Sequence, residues 1–414
     1  MEQKFFVENR QALYRACSPG SLLVLFSGHA PRKTADEYYP FFADRSFSYF
    51  TNIEQEDLIF LAKIGKESVE EYLYLLPPDE HAERWNGFRI KAEQAQELSG
   101  ITGFKNREQF MAEFRRLVLS GGFDRLYLDI DQLTEQEPPR DALKLAHYAA
   151  EHFPFLPVCN IHPAIAAIRT IKKPCEIAAM KKAQEITRDG IVAMMKASRP
   201  GMYEYQYKAE WDYALAQHGV ISPAFPSIIS AGKNNFCIHY HAYTGQAQDG
   251  DMILNDVGAI WDRECNDVSR GWPCNGKFSE RQRILYDCAY RTSNHMFEIM
   301  KPGIPMQDVD RMLHEYCAEL LVDAGALKRK EEERTLMWHG GAHHVGFDVH
   351  DVVDASGLTR PGFVFCIDVG IYSLEWGIGF RLEDNCLITE DGCENLSALT
   401  PRAAEDIEAV MGKR

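Results

Sequence analysis

Short apolar and aromatic runs, separated by polar and turn residues, fill the first 160 positions of the chain. Residues 22–26, 47–50, 58–62 and 72–76 read as strands, most of them bounded by turn or charged residues. Between 106 and 119 the apolar residues Phe110, Met111, Phe114 and Leu117 recur at helical spacing, and 126–130 reads as a further strand. Strand, helix, strand is the alternation of a mixed α/β unit. The stretch 153–163 then holds three prolines and little periodicity. It predicts a boundary between an N-terminal domain, 1–160, and a C-terminal domain, 161–414. Beyond it the texture changes. A long helix is expected over 174–197, with Pro174 in a tolerated first-turn position and Ile177, Met180, Ile186, Ile191 and Met195 as its apolar residues. A second helix is expected over 203–217, with strands near Ile228 and over 252–257. Helices return over 280–300 and 306–321, and strands over 363–369 and 381–388.

Composition narrows the class. A chain of 414 residues calls for two or three domains, and 45% hydrophobic with 26% charged residues is globular. The formal charge of −16 argues against a nucleic-acid partner, which needs a basic face. The eleven cysteines are an odd number, scattered with no CxxC pair, as in a reducing compartment. The first apolar run, 22–26, is too short for a signal sequence or a membrane span. The expected location is the cytoplasm, with no membrane partner.

Five segments of the second half place acids and histidines in unusual contexts. Asp256 ends an apolar strand, where sheet propensity disfavours it. Asp267 follows eleven residues later, a spacing that suits two antiparallel strands joined by a turn around Asp262 and Arg263. Alone, either Asp is more often a turn or cap residue. Four of the fourteen histidines, His339, His343, His344 and His350, fall within twelve residues. His339 and His343 have the i, i+4 spacing of a helical zinc pair. However, the intervening Glu of such a pair is absent and two glycines disfavour helix, so a strand-and-turn ribbon is expected. Asp368 and Glu383 each lie in or beside an apolar strand. Buried there, a charge is costly unless a cation compensates it. Arg381 can pair with one such acid; four acids and a histidine loop read as an assembly around metal.

The order Asp256, Asp267, the run from His339 to Asp351, Asp368-Val369-Gly370-Ile371-Tyr372 and Gly379-Phe380-Arg381-Leu382-Glu383-Asp384 resembles the pita-bread metallopeptidases. The aminopeptidase P and prolidase branch is the nearest. Phe225-Pro226-Ser227-Ile228-Ile229, Asn234, His239-Tyr240 and Pro273-Cys274-Asn275-Gly276-Lys277-Phe278 match as well. So do Asp44-Arg45-Ser46-Phe47-Ser48-Tyr49-Phe50-Thr51 and Glu83-Arg84-Trp85-Asn86-Gly87 in the first half. The resemblance implies an α/β (α+β) chain: a smaller creatinase-like α/β domain, then a pita-bread domain with a curved, mostly antiparallel sheet and flanking helices. It implies Asp256, Asp267, His343, Asp368 and Glu383 as ligands of two divalent ions, manganese first and cobalt or zinc as alternatives. Four carboxylates match the charge of two such ions, and oxygen-rich coordination suits these metals. His239, His339, His350 and Arg381 match positions that bind substrate or stabilise the tetrahedral intermediate. Asp368 matches a proton acceptor for the attacking hydroxide, which the two ions hold.

The implied activity is an exopeptidase, Xaa-Pro aminopeptidase or Xaa-Pro dipeptidase, acting on peptides with proline at the second position. A homodimer or larger homo-oligomer is implied too. The residue at 368 is normally Glu, in a Glu-Pro-Gly sequence. Asp draws the carboxylate back by about 1.5 Å, against a metal–oxygen tolerance of about 0.2 Å. Gly341, Ala342 and Asn266 are further departures. Two alternatives remain at this point: a creatinase-like amidinohydrolase, and a metal-poor homologue that acts as a binding protein.

Overall fold

Most of the apolar runs in the first half become neighbouring strands. The computed structural model describes residues 1–131, 134–354 and 357–412. The chain divides into two units, Met1–Ile168 and Arg169–Arg414. The division falls within a helix, after the proline-containing stretch at which the sequence places it.

The first unit runs α1 (Gln3–Arg15), β1 (Ser21–Phe26), α2 (Arg45–Thr51), β2 (Ile59–Ile64), β3 (Val69–Leu75), α3 (Glu80–Asn86), α4 (Ala92–Ser99), β4 (Phe104–Asn106), α5 (Phe110–Leu119), β5 (Arg125–Leu128), α6 (Asp141–His152) and β6 (Val158–Asn160). The strands form one mixed sheet in the order β4-β3-β2-β1-β5-β6. β2 is antiparallel to β1 and β3, whereas β5 is parallel to β1 and β6. Phe110, Phe114 and Leu117, the periodic residues of α5, pack on Leu22, Val24, Leu61 and Leu126 of the sheet.

One local expectation fails here, and one helix was not foreseen. Residues 47–50 are helical, not a strand. The Asp44 carboxylate accepts from the Phe47 N–H at 3.1 Å, and Asn52 ends the helix at φ 62°. Every residue from Ser46 to Thr51 is buried, so the aromatic density there reflects burial on all sides and not a pleated surface. The polar opening segment forms α1, which buries Phe5, Phe6 and Leu13 on one face.

The helix α7 (His162–Thr170) crosses from the first unit to the second. The second unit continues α8 (Pro174–Ala197), α9 (Glu204–Gln217), β7 (Ile228–Ala231), β8 (Met252–Val257), β9 (Ile260–Trp261), β10 (Glu264–Cys265), β11 (Val268–Pro273), α10 (Glu280–Ile299), α11 (Val309–Asp323), β12 (Val364–Ser373), β13 (Ile378–Ile388), β14 (Cys393–Asn395) and α12 (Ala404–Gly412). α8 begins at Pro174, and the Glu176 carboxylate accepts the Lys173 N–H at 2.8 Å. The strand pairings in this unit are antiparallel: β7-β8-β11, β9-β10 and β12-β13-β14.

Buried polar groups join the two three-stranded sheets. Asn235 donates to the carbonyls of Met252 at 2.8 Å and Gly379 at 2.9 Å. Arg270 of β11 donates to the Glu383 carbonyl and the Asp384 carboxylate, both at 2.7 Å. Satisfied buried networks of this kind fix one geometry. They hold β8, β11 and β13, the strands that bear or adjoin the acids, in register.

Candidate metal centre

β8 carries Asp256. The chain reverses through β9 and β10, with Asp262 and Arg263 at φ 47° and 71°, and β11 returns antiparallel with Ser269 opposite Asp256. Asp267 immediately precedes β11. β12 and β13 pair so that Asp368 lies opposite Glu383. Period-two alternation then puts Cys366, Asp368, Gly370 and Tyr372 on one face of β12, beside Arg381, Glu383 and Asn385 of β13. Four acids therefore arrive from four backbone segments at one place.

The histidine-rich segment runs beside β12 as an irregular ribbon. Cys366 N–H donates to the His343 carbonyl and Asp368 N–H to the Gly341 carbonyl, both at 2.8 Å. His344 forms an isolated bridge with Phe365. Gly341 is required by this approach, because a Cβ there would stand 2.0 Å from the Asp368 carbonyl oxygen. The His343 Nε2 lies 3.6 Å from an oxygen of Asp267 and 3.6 Å from one of Glu383. Ligand atoms of Asp267, His343, Cys366 and Glu383 all fall within 4.8 Å of one another.

The charge balance of this cluster is poor without cations. Oδ1 of Asp256, Asp267 and Asp368 is buried with no hydrogen-bond partner, which is costly for a carboxylate. Burial and the neighbouring Glu383 push Asp267 and Asp368 well above the usual carboxylate range. Burial would raise Glu383 as well, but His343 holds it down to about 2. Burial would lower His343, and Glu383 outweighs it in the other direction. Arg381 supplies one positive charge, 2.7 Å from Oδ2 of Asp256. The orphaned oxygens, a ring nitrogen between two carboxylates and the surplus of acids together fit a pair of divalent ions.

His339 is held by a directional chain. Arg381 Nη1 donates to the Tyr372 hydroxyl at 3.0 Å, and that hydroxyl lies 2.9 Å from His339 Nε2. His339 Nδ1 lies 2.9 Å from the Gly340 carbonyl, which can only accept. The ring therefore carries its proton on Nδ1 and accepts at Nε2. Burial lowers its affinity for a second proton. Trp338 stacks on Tyr372, centroids 4.7 Å apart.

His350 is exposed, its ring 4.3 Å from that of His343. Partial burial, then His343 and more weakly His239, disfavour its protonation. His239 is also exposed, on the loop between β7 and β8. Glu204, fully buried, pins that loop by accepting from Ala231 N–H, Gly245 N–H, Asn234 and Tyr240 at 2.6–2.9 Å.

All nine predicted site residues lie in the second unit. The structure gathers Asp256, Asp267, His339, His343, Asp368, Arg381 and Glu383 and leaves His239 and His350 at the exposed edge. Sequence reading passed over Cys366, Ser269, Tyr372 and Glu204. The first three were signalled by period two: each shares a strand face with, or stands two residues from, a predicted ligand. Glu204 had no local signal, since its partners lie 27 or more residues away.

Comparison with known proteins agrees with this geometry. The model of metallopeptidase family M24 matches residues 178–390, and that of the aminopeptidase P N-terminal domain matches 6–123. The Xaa-Pro aminopeptidase of Escherichia coli strain K12 is 30% identical, over 98% of this chain and 97% of its own length. A solved structure from Bacillus anthracis superposes with a TM-score of 0.97 at 33% identity, covering 100% of this chain and 99% of the other. Zinc-substituted E. coli aminopeptidase P in complex with product gives 0.90 at 28% identity, covering 100% and 98%.

Proposed function

We propose, on the premise that the chain belongs to metallopeptidase family M24 and carries the N-terminal domain of aminopeptidase P, that it removes the N-terminal residue from peptides with proline in second place. It is a metal-dependent Xaa-Pro exopeptidase. The observation that carries the reading is the convergence of Asp267, His343 and Glu383, with Asp256 and Asp368 as charged neighbours, around buried oxygens without partners. The alternatives of an amidinohydrolase and of a metal-poor binding protein both require that donor set to be broken, whereas each of the five positions holds a side chain able to ligate.

These five side chains would hold two divalent ions, manganese by family likeness. Ions bound there would supply Lewis-acid polarisation and a lowered water pKa, from about 16 towards 7. Asp368 Oδ1, buried and without a partner, takes the proton of the attacking water and passes it to the proline nitrogen, which leaves as a secondary amine. Arg381 and Tyr372 hold neutral His339 in one orientation beside the acids, and the fixed positive charge of Arg381 stabilises the developing oxyanion. His239 and His350, at the exposed edge, contact the peptide. Proline in second place has no amide proton, so recognition depends on ring shape and not on a backbone donor.

The eleven cysteines, all unpaired, support a reducing cytoplasm. Among the described residues no helix is long and apolar enough to cross a membrane. A homo-oligomer, at least a dimer, follows the family resemblance. The test is mass spectrometry of manganese-loaded protein incubated with Ala-Pro-Ala, Ala-Ala-Ala and the dipeptide Ala-Pro. Free alanine from the first peptide alone is expected. Failure to cleave any proline peptide with two ions bound would overturn the peptidase reading, and cleavage of Ala-Pro alone would make it a dipeptidase.

A further inference from the structure

We infer that Cys366 is itself a metal ligand, so that one cation position is a mixed nitrogen, oxygen and sulfur site that prefers zinc or cobalt to manganese. The inference rests on the peptidase reading only in needing divalent ions at this centre.

Four observations carry it. The Cys366 sulfur, an oxygen of Asp267, a nitrogen of His343 and an oxygen of Glu383 lie within 4.8 Å of one another. Donors on one tetrahedral zinc ion, at about 2.0–2.3 Å each, stand about 3.3–3.8 Å apart, so closing the set on an ion draws its most distant pair together by about 1 Å. Asp267 Oδ1, in the same cluster and 4% exposed as a residue, has no partner. A cation held there would satisfy it.

The third observation is how the sulfur is held. Asn385 Nδ2 donates to it at 3.3 Å, and the Asn385 Oδ1 accepts from Gln184 Nε2 at 2.6 Å. The amide is thereby fixed with its N–H toward sulfur, as a support for thiolate requires. The fourth is the shortened acid at 368. Its carboxylate is withdrawn on the very face of β12 where Cys366, two residues earlier, offers another donor. The alternative is that Cys366 is only a small apolar filler, since it also touches Val345, Val364 and Leu387. That accounts for its burial and not for the unpartnered carboxylate oxygen of Asp267 in the same cluster.

Binding exchanges the thiol proton for the cation: the S–H bond breaks, a sulfur–metal bond forms and one proton is released to solvent. Soft thiolate favours zinc and cobalt over manganese. Outside this set, Asp256 and Asp368 offer only oxygen. The two positions therefore differ in the metal they select.

The experiment loads the full chain with cobalt(II) and records the near-ultraviolet spectrum, with metal content measured on the same sample. A thiolate-to-cobalt charge-transfer band is expected. It should vanish in Cys366→Ser and survive in Cys237→Ser, which removes the exposed thiol. In competition, Cys366→Ser should lower zinc affinity about tenfold or more and leave manganese affinity within about twofold. Bound cobalt without the band in the unaltered protein overturns the inference, without recourse to a variant, and leaves the peptidase reading standing. A band that persists in Cys366→Ser overturns it equally. No bound ion at all overturns both.

Discussion

At the scale of single residues, the site depends on where one or two atoms stand. Asp368 is the clearest case. Its Oδ1 is buried without a partner and its Oδ2 lies 3.5 Å from His339 Nδ1, so the carboxylate is present but drawn back from where Glu would reach. Asp368→Glu is therefore expected to raise metal affinity or peptidase rate by about tenfold. Isothermal titration with manganese and a kinetic assay measure it, and an unchanged or lower value of both means that the shorter acid is already accommodated. Arg381 is the opposite case, a side chain whose shape is fully used. It touches Asp256, Tyr372, the Ile238 carbonyl and, at 3.4 Å, Ser269. A lysine cannot reproduce that fork. Arg381→Lys should cost about a hundredfold in kcat, comparable to the loss of one oxyanion donor, with an unchanged circular dichroism spectrum. A loss of less than threefold would remove Arg381 from the mechanism.

At the scale of elements, the ribbon from His339 to Asp351 decides whether the donors meet, and it is anchored at both ends. Near its start, the Gly341 N–H donates to Asp310 of α11 at 2.7 Å and its carbonyl accepts from β12. At its end, Asp351 is fully buried between Arg169 and Lys172, with Arg169 also 2.5 Å from Asp348. Removing the charge of Asp351 leaves two buried cations short of a partner. Asp351→Asn is expected to destabilise the chain by about 3–5 kcal/mol in denaturant titration at pH 7. Burial would raise the Asp351 pKa, but Arg169 and Lys172 hold it below the usual range. A carboxyl depressed in the folded state contributes stability that is complete above its unfolded value, about 3.9, and is lost as pH falls through the folded one. The difference between variant and parent should therefore narrow below about pH 4. A gap that stays constant with pH would refute the ion-pair account. This ribbon also shows what the sequence leaves open. Histidine enrichment and two glycines announced an irregular metal-binding segment. The reason for Gly341 is a 2.0 Å approach to a backbone oxygen 27 positions later, which no local pattern carries. The same limit governs α2. Its aromatic run was read as a strand because sequence reports apolarity, and period only when one face is polar. The β8–β11 reversal and the strands β12 and β13, though not their pairing, were legible because their acids break an otherwise apolar strand. Cys366 was signalled by period two, two residues before Asp368, but was passed over because a cysteine in an apolar strand looks like core.

At the scale of the whole molecule, the five proposed ligands and the four rim and relay residues belong to one of the two units, Arg169–Arg414. That confines the thermodynamic effect of metal. Ligand binding to the folded form adds RT ln(1 + [L]/Kd), about 2.7 kcal/mol when free metal is a hundred times its dissociation constant. Here the gain comes from compensating carboxylates that otherwise crowd Asp267, Asp368 and Glu383 together. Chelation should therefore loosen β8, β11, β12 and β13 first, the strands that meet at the centre. The sheet of the first unit, whose core is Leu22, Val24, Leu61, Phe110 and Leu126, gains nothing directly from the ions. Amide hydrogen exchange with manganese and with a chelator separates the two. Protection within 252–273 and 364–388 should fall on chelation, while protection within 21–26 and 59–64 changes little. Equal loss in both sets would show that metal stabilises the chain as one cooperative block. Equal protection throughout would mean that these acids tolerate one another without cations, which buried carboxylates with unpartnered oxygens do not.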